Sequence, residues 1–235
     1  MKAIILAAGK GTRISDEIGF MPKSLLEING KCLIRNITEM LISFDIQPII
    51  CTGYQANKIK EALTDLNVQY CHNPFYDITN NISSLWFARE NIDDDIIILS
   101  ADLIFQKEII EKLIRQNNAL TMIVDKSRIM DGDYFLRLSD AGYVLGYGSD
   151  MPPHLRSCEY IGLSKISRSV AEIFAQRLDE MIKSQKHQQY FEQVFFSFID
   201  DEKLKISTID ISGLNWREVD FYDDYLKAKQ QFETN

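Results

Sequence analysis

Lys2-Ala3-Ile4-Ile5-Leu6-Ala7-Ala8-Gly9-Lys10-Gly11-Thr12-Arg13, followed after a short gap by Pro22-Lys23, is the stretch that decides the fold. The aliphatic run Lys2 to Ala7 reads as a first strand, which breaks directly into small residues. Small residues in that place let the backbone approach a ligand closely, and successive N–H groups can cradle an anion. Arg13 adds a planar fork for phosphate oxygens. Pro22 stiffens the chain beside Lys23, so that its ammonium can be held near a phosphorus centre. As a loop lysine, Lys23 is expected to pack little. Two familiar alternatives fail. A P-loop needs GxxxxGK[ST], which is absent, and a dinucleotide fingerprint needs GxGxxG, whereas Gly9-Lys10-Gly11-Thr12-Arg13 runs on into Ile14.

Outward from this loop the first half alternates strand and helix. Cys32 to Phe44 carries Leu33, Ile34, Ile37, Met40 and Leu41 at helical spacing. Gln47 to Cys51 reads as a strand, Asn57 to Leu66 as a helix and Val68 to Cys71 as a strand. Ser84 to Asn91 reads as a helix, Asp95 to Ser100 as a buried strand and Gln106 to Asn117 as a helix. Near-continuous apolar strands between amphipathic helices predict a doubly wound, mostly parallel (Rossmann-like) α/β sheet covered on both faces. Such a sheet binds ligands at the carboxyl ends of its strands. From about Ala119 short strands take over: Ala119 to Val124, Tyr134 to Leu138, Tyr143 to Tyr147 and Glu159 to Ile166. They are split by turns such as Asp131-Gly132-Asp133 and Asp140-Ala141-Gly142. Ser169 to Ile199 reads as helical with a break near Gln185 to Gln189, Lys205 to Ile211 as a strand and Tyr222 to Phe232 as a closing helix. With no linker, repeat or low-complexity tract, one domain over 1–235 is expected, its core spanning about 1–118 and a smaller β/α portion about 119–235.

Composition narrows the function. The 235 residues carry a net charge of −8, which argues against a nucleic-acid partner, since that needs a basic face. No apolar run is long enough for membrane insertion, so a cytoplasmic location is expected. Cys32, Cys51, Cys71 and Cys158 form no CxxC pair or zinc spacing and read as buried, reduced hydrophobes. His72, His154 and His187 are scattered and suggest no Ser/His/Asp arrangement.

The string Leu6 to Lys23 matches LAAGxG[TS]Rxxxxxxxx-PK and continues as Ser24-Leu25-Leu26-Glu27-Ile28-Asn29-Gly30. On it the chain resembles the nucleotidyltransferases that join a nucleoside triphosphate to a small phosphorylated acceptor. Asn80-Asn81-Ile82-Ser83-Ser84-Leu85-Trp86 resembles the NN-x-x-SL segment of the CTP:phosphocholine and phosphonate cytidylyltransferases. Ser100-Ala101-Asp102 resembles the strand end that carries the family's metal aspartate, and Glu218-Val219-Asp220 its E-x-D. Tyr134 stands where this branch has a tryptophan over choline, and Glu192 where it has an aspartate.

The resemblance implies in-line attack of an acceptor phosphate or phosphonate oxygen on the α-phosphorus of CTP, with pyrophosphate leaving. Lys23 and Arg13 are then the catalytic cations. Leu6, Ala8, Gly9, Gly11, Thr12, Asn81, Ser84 and Ala101 join them in holding the nucleotide, and Asp102 and Asp220 hold Mg2+, with Mn2+ a substitute. Taken alone, Asp102 could instead cap a helix and Asp220 could favour the positive end of the helix that follows it. Tyr134, Glu192 and Glu218 are expected to receive the cationic end of a small anionic acceptor. Alternation along an extended segment puts Glu218 and Asp220 on one side. Two alternatives remain open: a sugar-1-phosphate nucleotidylyltransferase, and a nucleotide-sensing module without transfer activity.

Overall fold

The computed structural model describes residues 1–14, 16–130, 132–199 and 204–233. Along the first half run β1 (Lys2–Ala7), β2 (Glu27–Ile28), β3 (Lys31–Cys32), α1 (Leu33–Ser43), β4 (Gln47–Thr52), α2 (Ala56–Ala62) and β5 (Gln69–His72). Then come α3 (Asn81–Phe87), β6 (Ile96–Ser100), β7 (Leu103–Phe105) and α4 (Glu108–Ile114). The second half holds β8 (Leu120–Asp125), β9 (Phe135–Leu138), β10 (Val144–Gly148), β11 (Cys158–Ile166), α5 (Ala171–Lys183), α6 (Glu192–Phe196), β12 (Ile206–Asp210), β13 (Trp216–Glu218) and α7 (Tyr222–Phe232).

Strand alternation divides the interior. Ile4, Leu6, Ile49, Cys51, Ile96 and Ile98 face one core, and Ala3, Ile5, Ala7, Ile50, Ile97 and Leu99 face the other. The first core is closed by α3, α5 and α6 through Ile82, Leu85, Phe174, Leu178 and Phe195. The second is closed by α1, α2 and α4 through Ile34, Ile37, Leu41, Ile59 and Ile109. A sheet covered on both faces is the doubly wound arrangement expected from the uninterrupted apolar strands.

The nine-stranded sheet has the path β10-β9-β11-β6-β1-β4-β5, with β8 also pairing β11 and β12 pairing β8. Strands β5, β4, β1 and β6 are parallel neighbours, and β12 is parallel to β8. Only β10 and β11 run against the common direction; β11 meets β6, β8 and β9 antiparallel and joins the two halves of the sheet. Its register against β8 shifts between Tyr160 and Ser164, around Gly162 at φ +80°.

Several boundaries differ from the periodicity reading. The third helix begins at Asn81, because the Asn80 side chain accepts the Asn81 N–H at 2.7 Å and caps it. The expected long helix from Ser169 separates into α5 and the short α6, a wider break than the polar stretch suggested. The turn starting at Asp131 lies partly outside the described residues, since Asp131 is not among them. Cys71 is only half-buried, whereas the other three cysteines are buried, and all four are free thiols. Two small ribbons were not legible. One is β2–β3; the other pairs β7 with β13, setting Glu218 opposite Leu103. Val219 N–H then donates to the Asp102 carbonyl at 3.0 Å, tying the end of the chain to the end of β6.

The loop that follows β1 is under tight steric control. Tyr54 N–H donates to the Ala8 carbonyl at 3.0 Å. A Cβ on Gly53 would stand 2.6 Å from Tyr76 Cβ and 2.7 Å from that carbonyl oxygen. Gly53→Ala is therefore expected to cost about 1–3 kcal/mol, several degrees in Tm. Gly9→Ala, whose Cβ would meet nothing within 4 Å, should leave Tm unchanged in the same thermal melt.

Candidate nucleotide site

The loop after β1, the end of β6, the start of α3 and the segment after β13 converge on one cleft at the carboxyl ends of the parallel strands. Leu6, Ala8, Gly9, Gly11, Thr12, Arg13, Lys23, Asn81, Ser84, Ala101, Asp102, Glu218 and Asp220 all line it. The sequence reading thus placed most of its site residues in one cavity. Tyr134 and Glu192 are not part of its lining.

Lys23 is the hub. Its Nζ lies 2.8 Å from Asp102 Oδ2 and 2.6 Å from Asp220 Oδ1, and its side chain is only 12% exposed. The expectation of a lysine that packs little is corrected: the ammonium is drawn inward by two carboxylates. Its aliphatic stem lies over Gly11, where φ is +64° and an added Cβ would come within 2.5 Å of Lys23 Cγ. Burial works against the charged ammonium, but Asp102 and Asp220 outweigh it and hold the lysine pKa above its ordinary value. Arg13, half-exposed, donates to Asp220 Oδ2 at 2.7 Å, and its guanidinium lies 5.6 Å from the centre of the Phe221 ring.

Carboxyl oxygens of Asp102, Glu218 and Asp220 lie within 4.8 Å of one another, the metal-compatible acidic group found among the described residues. Asp102 Oδ1 is buried without a hydrogen-bond partner. An all-oxygen donor set with an unsatisfied buried oxygen fits a hard divalent cation such as Mg2+. Alternation does put Glu218 and Asp220 on the same side, as both face the cleft. Burial first, then repulsion from Asp102 and Asp220, pushes the Glu218 carboxyl well above the usual range.

Beyond Glu218 lies an aromatic and acidic cluster. Phe196 stacks on Tyr147 at 3.8 Å and on Tyr134 at 5.8 Å between ring centres. Gln193 bridges the two tyrosines, accepting from Tyr147 Oη at 3.1 Å and donating to Tyr134 Oη at 3.3 Å. Glu192 opens α6, and burial pushes its carboxyl up to about 8. The charge of Glu192 acts on Glu218, and both act on the buried Tyr160. The three residues expected to meet the acceptor thus form one neighbourhood beside the cleft.

The other polar residues are more structural than expected. Asn81 Oδ1 accepts the Phe191 N–H at 2.7 Å, and Ser83 Oγ donates to the His187 carbonyl at 3.2 Å. The NN-x-x-SL segment therefore anchors the run into α6 while lining the cleft. Ser84 Oγ accepts from Asn73 at 3.0 Å. Sequence reasoning missed Ser24, Tyr76, Thr79, Asn80, Ser100 and Tyr190, which also line the cavity. Only Ser24, Asn80 and Ser100 stood beside motif residues and could have been found.

Residues 3–188 match the model of the MobA-like NTP transferase domain, and the chain belongs to that family. It is thus a nucleotidyltransferase, as the motif from Leu6 to Lys23 led one to expect. It is 28% identical to the CTP:phosphoglutamine cytidylyltransferase of Campylobacter jejuni, over 95% of this chain and 97% of that protein. It is 23% identical to the CMP-5'-(3-aminopropyl)phosphonate synthase of Streptomyces rubellomurinus, over 99% of this chain but only 39% of that protein. The solved CTP:phosphocholine cytidylyltransferase of Streptococcus pneumoniae superposes with a TM-score of 0.79 at 24% identity, covering 97% of both chains. The fold is that of these Rossmann-like transferases.

Glu192 makes one testable demand on stability. Its folded pKa of about 8 exceeds its ordinary value of 4.5, so the native state holds the proton more tightly than the unfolded one. Its contribution is fully present below pH ~4.5 and is lost as pH rises through ~8. Denaturant melts of the free protein should show this loss, and Glu192→Gln should flatten the slope across that window.

Proposed function

We propose that the protein transfers a cytidylyl group from CTP to a small phosphorylated or phosphono acceptor with a cationic end, releasing pyrophosphate. The observation that carries the reading is Lys23 held between Asp102 and Asp220, with Glu218 beside them, at the mouth of a small-residue phosphate loop. Similarity to proteins named for CTP and for phosphono or phosphorylated substrates supports the base and the acceptor class. We read the chain as one functional unit, with the nucleotide at the parallel strands and the acceptor in the second half. Among the described residues no helix is long and apolar enough to cross a membrane.

The acceptor oxygen is already anionic, so no side-chain nucleophile or general base is needed. It attacks the α-phosphorus in line, a new P–O bond forms, and the bond to pyrophosphate breaks. The chain's contribution is positive charge and alignment where negative charge accumulates. Lys23 presents its ammonium to the α-phosphate oxygens. Arg13 and the amides around Gly9 and Gly11 hold the departing phosphates. Asp102 and Asp220 would hold Mg2+, with Glu218 close by, and the ion supplies Lewis-acid charge to phosphate oxygens when bound.

A sugar-1-phosphate acceptor is the second enzymatic reading. The stacked Tyr134, Phe196 and Tyr147 with two adjoining carboxyls suit an ammonium better than a neutral sugar. A sensing module without catalysis has no need of the Lys23 bridge.

Pyrophosphate release with a panel of triphosphates and acceptors tests the proposal. CTP with a phospho- or phosphono-amino alcohol should be the productive pair, and preference for a sugar 1-phosphate would overturn it. Lys23→Met should lower turnover by on the order of 10²–10³. It should also lower Tm, since it strips the counter-charge from two carboxylates. Asp102→Asn and Asp220→Asn should each raise the Mg2+ concentration needed for half-maximal rate; full activity in excess chelator would refute the metal assignment.

A further inference from the structure

The cluster beyond Glu218 contains an acceptor with nothing to accept. Glu192 Oε2 is shut off from solvent, and no donor reaches it. No lysine or arginine among the described residues is paired with it, and the charges around it are those of other acidic and phenolic groups. Of the nearby hydroxyls, Tyr147 donates to Gln193, Tyr160 shares a 2.8 Å hydrogen bond with Ser164 Oγ, and Tyr134 accepts from Gln193; none of them pairs with Oε2. A buried oxygen left in this condition is costly unless something bound supplies the hydrogen.

Any ammonium would be drawn to the aromatic faces and carboxyls, whatever its degree of methylation. Methylation changes the number of donors instead: a primary ammonium carries three N–H groups and a trimethylammonium none. We propose that Glu192 is a specificity-determining residue that selects acceptors ending in a primary ammonium over those ending in a quaternary one. This rests on the cytidylyltransferase reading above. The selection works through the unpaired oxygen: an N–H of the bound acceptor satisfies Oε2, whereas a trimethyl head keeps it both desolvated and unpaired. A site that hydrogen-bonds its substrate rejects the analogue lacking the donor far more strongly than an apolar pocket rejects extra methyl groups. The fitting substrates are phosphate monoesters or phosphonates of short primary amines.

The test uses the full chain with CTP and Mg2+, following pyrophosphate release. Acceptors are phosphoethanolamine, its N-methyl, N,N-dimethyl and N,N,N-trimethyl forms, and uncharged ethyl phosphate. The primary amine should exceed the trimethyl form in kcat/KM by about tenfold or more. The main drop should fall between the dimethyl form, which keeps one N–H, and the trimethyl form. Glu192→Gln should pull that ratio towards one. If this variant does not fold, the methylation series on the unmodified protein still decides. An even decline from the first methyl, a ratio near one, or preference for the trimethyl form would overturn the role of Glu192. If all cationic acceptors still surpass ethyl phosphate, that failure leaves the cytidylyltransferase reading standing. Transfer only to a sugar 1-phosphate would overturn both.

Discussion

One ammonium between two carboxylates organises this molecule. Lys23 meets Asp102 at 2.8 Å and Asp220 at 2.6 Å, and these groups come from the first loop, the end of a central strand and the segment before the last helix. Two acids brought together from such distances would repel each other in a half-dry cleft. A cation between them lifts that restriction. The glycine under the lysine stem, the β7–β13 ribbon and the Val219–Asp102 backbone bond all serve to hold these charges in register. The lysine at the cleft is therefore already charged and already fixed in place.

Much of this was legible because local chemistry was strong. β1 and β6 are aliphatic runs buried on both faces, and their alternation splits without ambiguity between two cores. The loop from Leu6 to Lys23 could be read because its small and basic residues form one short motif, and they do line one cleft. What escaped was the work of short elements. A three-residue strand such as β13 has no period to detect, yet it turns Glu218 towards Asp102. Tyr76 and Thr79 sit in an irregular loop and reach the cleft only through the fold. Burial of Lys23 was missed for the same reason: its partners lie far along the chain.

The two halves contribute different groups. The loops of the first half bring Arg13, Lys23 and Asp102 to the cleft, and the second half brings Glu218 and Asp220, with stacked rings and the unpaired Glu192 oxygen beyond them. Asn81 couples them, since it lines the cleft while holding the run into α6 through Phe191.

The separation of Lys23 and Asp220 also has a consequence for synthesis of the chain. They stand 197 residues apart, so the carboxylate that completes the charge triad leaves the ribosome long after the lysine. Until then the nascent polypeptide carries a first loop whose lysine has only Asp102 to answer it. The strands β1, β4 and β6 can pair beforehand, but the ribbon that carries Glu218 cannot. A fragment released before β13 would retain the sheet's first strands and lack Glu218 and Asp220, so the sheet's centre and the charge cluster are completed at different moments of translation.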